Sequence, residues 1–143
     1  MVGRKHRGDE RLRGQAATEV LLILAVILTA AIAFLPAGQR SNEVSSVMSA
    51  ARVGASKAVT ELSMQYGCSI DIAKLNFDGG NITIYLTASV GGPSDATISD
   101  KVRSEALKHI YQAVNGGFPE NAAPVSTQNY TYDVSVAITR VVK

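Results

Sequence analysis

A chain of 143 residues has room for one modest folded domain, not two. Its net charge of +2 is unevenly placed: residues 1–14 carry five basic and two acidic side chains, and the remainder nine basic and ten acidic. A near-neutral body lacks the clustered basic face that nucleic-acid backbones require, and the single cysteine, Cys68, excludes an intrachain disulfide.

The N-terminal segment is the most informative. Arg4, Lys5, Arg7, Arg11 and Arg13 form a basic start, and the twenty residues from Ala16 to Leu35 then carry one charge, Glu19. As a helix, twenty residues extend ~30 Å, the thickness of a bilayer's hydrocarbon core. Basic residues ahead of the span orient the N-terminus to the cytoplasm and residue 40 onward to the outside. A secretory signal cleaved near Ala31-Ile32-Ala33 and a plain membrane anchor both fit this pattern. Neither accounts for the carboxylate. An ionised acid at a bilayer centre costs ~2.5–3.5 kcal/mol, less near the end of a span, and by default marks a functional position.

The boundary itself is more specific. Arg11-Leu12-Arg13-Gly14 gives way at once to Gln15-Ala16-Ala17-Thr18-Glu19-Val20-Leu21-Leu22-Ile23-Leu24. Over about the first 35 residues this resembles the class III signal peptide of archaeal type IV pilin-like precursors. The family pattern Gln-x-Ser-x-Glu-x-x-x-Leu is met at Gln15 and Glu19, with Ala17 in place of Ser and Ile23 in place of Leu. The resemblance implies cleavage by a prepilin peptidase between Gly14 and Gln15, with Gln15 and Glu19 serving assembly. It also implies a structural subunit of a surface filament, polymerised through its N-terminal helix. Its partners would be copies of itself and other pilins, the peptidase, an assembly ATPase with its membrane platform, and the membrane before assembly. Adhesion is a common role of such filaments. The expected organisation is a leader, 1–14, removed; an apolar transmembrane and filament-core helix, 15–38; and an extracellular head, 39–143. The rival reading is a membrane-anchored or secreted extracellular binding domain that does not polymerise.

Beyond the apolar segment, Pro36 and Gly38 predict a bend or interruption of the helix. Helical spacing resumes at Val44, Met48, Ala51, Ala55, Ala58 or Val59, Leu62 and Tyr66, with Gly67 as the C-terminal cap. Residues 69–77 read as extended, with a phase shift between Ile70/Ile72 and Leu75/Phe77. Asp78-Gly79-Gly80 predicts a turn, and Ile82, Ile84, Leu86 and Ala88 share one face of the next strand. A second helix is expected near Asp100 with Thr97 or Ser99 as cap, ended by Asn115-Gly116-Gly117. After a loop over 117–128, Tyr130, Tyr132, Val134, Val136 and Ile138 alternate with polar or small residues as a last strand. The expected fold is therefore α+β: a long hydrophobic helix leading into a small head with a mainly antiparallel three-stranded sheet and packed helices.

Chemistry-bearing patterns are sparse. No nucleophile, base and orienting group can be picked out, so no catalytic residue and no enzyme are expected. No cofactor motif occurs, since the paired glycines lack phosphate-loop spacing. No metal site is expected: His109 and Cys68 stand apart, and Asp95 and Asp100 read as helix-capping acids. Cys68 reads as a small buried side chain. Two sequons, Asn81-Ile82-Thr83 and Asn129-Tyr130-Thr131, mark candidate N-glycosylation sites.

Overall fold

The computed structural model describes the backbone of residues 6–142 and the side chains of 10–33 and 38–142. Arg4 and Lys5 of the expected leader lie outside the described residues. One helix, α1, runs from His6 to Tyr66. Strands β1 (Ile70–Asp78) and β2 (Asn81–Ser89) follow, then helix α2 (Asp95–Asn115) and strands β3 (Val125–Ser126) and β4 (Thr131–Val141). The chain divides into two units between Ser41 and Asn42.

In the first unit, every described side chain from Glu10 to Ala33 is exposed. The helix is assigned without a break through Pro36 and Gly38, so the expected interruption is absent. Proline removes one N–H from the ladder, yet its fixed φ is helical, and the alanine-rich flanks keep the turns on either side paired.

The second unit is an α+β head. The residues of α1 from Asn42 onward bury Val47, Ala51, Ala55, Ala58, Val59 and Leu62, in one cluster with Ile98, Val102, Ala106, Leu107 and Ile110 of α2 and the inward residues of the sheet. The stripe is turned from its expected line: Val47 is 1% exposed, Met48 is only partly buried, and Tyr66 is 46% exposed. Spacing marks a stripe but not its centre, and here the centre follows the crossing with α2. At that crossing a Cβ on Gly54 would lie 2.4 Å from the Glu105 carbonyl oxygen. Only glycine allows the two backbones to come this close. Glu105 is itself buried and lies 3.3 Å from Lys57 Nζ and 3.6 Å from Lys101 Nζ; Lys101 also reaches Glu61 at 2.8 Å.

The sheet has four strands in the order β1-β2-β4-β3 among the described residues, one more than expected. Two residues of the supposed loop, Val125 and Ser126, pair with Tyr132 and Thr131, and Val125 is buried. The sheet is also mixed, not mainly antiparallel, because its central pair, β2 and β4, runs parallel. The connection explains this. A 21-residue helix carries the chain ~31 Å back toward the end from which β2 started, so β4 must run the same way.

Strand details follow the sequence closely. The phase shift in residues 69–77 is a β-bulge: Ile72 pairs with Leu86 and Lys74 with Tyr85, leaving Ala73 over. The extra residue returns Leu75 and Phe77 to the core side, opposite Ile84 and Ile82. Gly79 and Gly80 turn the hairpin with φ of 55° and 101°, values that other residues rarely adopt. The cap of α2 is a correction: it is Ser94, whose Oγ accepts from Thr97 N at 3.2 Å, and not Thr97 or Ser99. The helix starts at Asp95, directly after Ser94, so Thr97 already lies in its first turn. Asp95 in that turn takes Arg140 Nε at 2.8 Å, which ties the end of β4 to the start of α2.

Residues 41–143 expressed alone should give mixed helix and strand by circular dichroism and melt cooperatively. Within that fragment, Gly54→Ala should lower the melting temperature. Helix propensity favours alanine by ~1 kcal/mol, but a rigid backbone clash of this kind costs up to ~3 kcal/mol. The net loss should be a drop of about 5–10 °C for a domain of this size.

Candidate functional site

The residues singled out at the leader boundary fall on one helix. Gly14, Gln15 and Glu19 are all in α1 and all exposed. Gln15 and Glu19 are four residues apart and so lie one turn apart on one face. The Gly14 carbonyl accepts a hydrogen bond from Thr18 Oγ1 at 2.9 Å. The Gly14–Gln15 bond therefore lies inside a helical turn, beside a glycine that weakens the helix by ~1 kcal/mol relative to alanine. Downstream, Val20, Leu21, Leu22, Ile23, Leu24, Val26, Ile27 and Leu28 are each more than half exposed. This is one helix long and apolar enough to cross a membrane.

The head holds a polar site that spacing arguments missed. Glu43, partly buried on α1, receives three hydrogen bonds from the β3–β4 turn and the strand after it. Thr127 Oγ1 donates to Oε1 at 2.6 Å, Tyr132 OH to the same oxygen at 2.8 Å, and Asn129 Nδ2 to Oε2 at 2.7 Å. Thr127 also closes the turn, accepting from Asn129 N at 3.2 Å and Tyr130 N at 3.1 Å. Tyr132 is fully buried, and a buried phenol needs an acceptor; Glu43 supplies it. Phe77, Tyr130 and Tyr132 pack around the same corner, with the first two rings edge-on at 5.3 Å. Glu43 stands 84 residues from Thr127, and Asn42 and Val44 beside it form no recognisable motif with it, so no local pattern points to it.

This cluster shifts both ionisable partners. The Thr127 hydrogen bond, followed by those from Asn129 and Tyr132, holds Glu43 below the usual carboxylate range against an opposing burial effect. Burial, and then the bond to Glu43, pushes the Tyr132 phenol above its ordinary range. The carboxylate acts as a clasp between helix and turn.

The two sequon asparagines fare differently. Asn81 is exposed at the start of β2, whereas Asn129 is partly buried and bonded to Glu43. Cys68 is partly buried against the core, close to where a Cβ on Gly92 would stand. His109 Nδ1 lies 2.8 Å from the Glu105 carbonyl oxygen and its ring meets Phe118 edge-on. Asp95 is engaged by Arg140. Among the described residues no three His, Cys, Asp or Glu side chains are grouped so as to hold a metal ion. No protein-family model, curated protein or solved structure matches the chain.

A lowered Glu43 pKa contributes stability that is present above the unfolded-state value, near 4.5, and is lost as pH falls through the folded-state value. Glu61, lowered by its hydrogen bond from Lys101, acts in the same direction. The isolated head should therefore lose stability steadily below about pH 5, and Glu43→Gln should flatten part of that slope. Hydrogen bonds to charged groups contribute ~1.5–3 kcal/mol, so Glu43→Ala should cost at least that much at pH 7, read from urea unfolding.

Proposed function

We propose that the chain is the precursor of a structural subunit of a type IV pilus-like surface filament, archaeal by its resemblance. In this reading it is cleaved between Gly14 and Gln15 and polymerised through its N-terminal helix. The observation that carries the reading is apolar surface left exposed among the described residues. The described side chains from Val20 to Ala33 are all exposed, while the head closes a separate core. Such a surface has two homes, the hydrocarbon of a bilayer or the matching surface of other copies. Cleavage ahead of the helix preserves it for both uses in turn: anchored subunit first, filament core afterwards. Secretory cleavage at Ala31-Ile32-Ala33 would discard it. The head would then lie on the filament exterior, where adhesion is a common role of such polymers.

Glu19 has a specific place in this scheme. Cleavage creates an α-amino group at Gln15, and in a polymer the carboxylate of one subunit can meet the amino group of another. At 4 Å and an effective dielectric near 20 the pair attracts by ~4 kcal/mol before desolvation is counted. The pair would set axial register between helices more than add stability. Cyclisation of the terminal glutamine would reduce it to a hydrogen bond.

The mature protein should begin at Gln15 by intact mass and N-terminal sequencing. Gly14→Ala should block this processing, and since a Cβ at Gly14 meets nothing within 4 Å, the loss would report recognition and not misfolding. A start at or beyond Phe34 would establish ordinary secretion. Glu19→Ala should leave cleavage and membrane retention intact and sharply reduce filaments seen by electron microscopy. Normal filament number and length from that variant would remove Glu19 from assembly.

A further inference from the structure

Two sequons of similar sequence occupy opposite chemical situations at one end of the same sheet. Asn81 opens β2 opposite Asp133, and the Thr131 carbonyl lies 2.5 Å from where a Cβ on Gly80 would be. The sites are thus neighbours, and what separates them is the state of their functional groups.

In the second sequon both groups that N-glycosylation uses are engaged. Asn129 Nδ2 donates a charge-assisted bond of 2.7 Å to Glu43 Oε2, while its backbone N–H is held by Thr127 Oγ1. Thr131 Oγ1 lies 3.2 Å from Ser126 Oγ across the β3–β4 pair. A transferase must present the asparagine amide and the hydroxyl two residues later together, in an accessible segment. Here that means pulling the amide off a carboxylate also bonded to Thr127 and Tyr132, and so opening the clasp between α1 and the turn.

The first sequon lies on β2, paired on both sides, but at its side chains it is the reverse case. Asn81 is exposed and follows the Gly79-Gly80 turn, where a Cβ on Gly79 would meet nothing within 4 Å. Ile82 and Ile84 point into the core, so Asn81 and Thr83 share the outer face of the sheet. Asn81 Oδ1 accepts from Ser135 Oγ at 3.2 Å, and its nitrogen makes a long contact, 3.5 Å, to Thr83 Oγ1, the hydroxyl of its own sequon. Acceptor and hydroxyl are side by side, and among the described residues no carboxylate holds the amide.

We propose that Asn81 is the N-glycosylation acceptor of this chain and that Asn129, despite its sequon, is kept unmodified by Glu43. The donor is a sugar linked to a polyprenyl phosphate. Asn81 Nδ2 forms a bond to the anomeric carbon as that carbon's bond to phosphate oxygen breaks. The lipid phosphate leaves with the electron pair, and one Nδ2 proton passes to a base of the transferase. The inference rests on export of the head, which the filament reading includes, and it stands whether or not the chain polymerises.

The test is glycopeptide mass spectrometry of the full chain from its native membrane. A mass shift should sit on Asn81, be lost in Thr83→Ala, persist in Thr131→Ala, and be absent from Asn129. The Gly117→Thr variant serves as an accessible control. It completes a sequon at exposed Asn115, and a Cβ at Gly117 meets nothing within 4 Å. Asn81 left bare, with or without modification of that control, would overturn the proposal, while the mature N-terminus judges the filament reading separately. Glycan on both Asn81 and Asn129 would show transfer before the clasp forms and overturn the selection. Glu43→Ala, verified as folded by circular dichroism, should gain a mass shift at Asn129; a folded variant still bare there would remove Glu43 as the guard.

Discussion

The head depends first on the approach of α1 to α2 at Gly54. A missing side chain on one helix lets the Glu105 carbonyl of the other come within a distance that any Cβ would forbid. The positions around it, Ala51, Ala55 and Ala58 on α1 and Ala106 on α2, are buried and small. Close backbones leave no room for large residues at the crossing, so the larger side chains, Ile98, Leu107 and Ile110, are buried in the core shared with the sheet. Because α2 is committed to this crossing, the chain re-enters the sheet at the end where β2 began. The parallel pairing of β2 with β4 is the consequence.

Polar groups then secure the corners that burial leaves loose. Glu43 clasps the β3–β4 turn to α1 through three donors, and Arg140 holds the start of α2 through Asp95 and the carbonyls of Ser89 and Pro93. Arg103 does the same between α2 and β4, reaching Asp133 at 2.8 Å and the Val134 carbonyl at 3.1 Å. In each case a long-range charged group satisfies backbone or loop atoms that no regular hydrogen-bond ladder reaches. The same logic gives Asn129 a structural occupation, which is why a sequon alone is a poor guide to what its asparagine does.

The two units of the chain place opposite demands on one helix. From Val20 to Ala33 the described residues form an exposed surface apolar on nearly all sides, with no buried stripe. From Asn42 onward the helix has a single buried stripe with Arg52, Lys57 and Glu61 off it.

By itself, the sequence determined the features that depend on neighbours a few residues away. The apolar segment, the Gly79-Gly80 hairpin, the bulge implied by Ile72 and Leu75 falling out of phase, both glycine helix ends and the alternation of β4 were all legible, because each follows from a local period or a local dihedral requirement. Tertiary structure alone decided that Val47 and not Met48 is fully buried, that β4 runs parallel to β2, and that Val125 and Ser126 form a fourth strand. It also decided that Glu43 meets Thr127, Asn129 and Tyr132. These outcomes turn on contacts between residues tens of positions apart, and the energy that selects among them arises only when helices, turn and sheet are brought together.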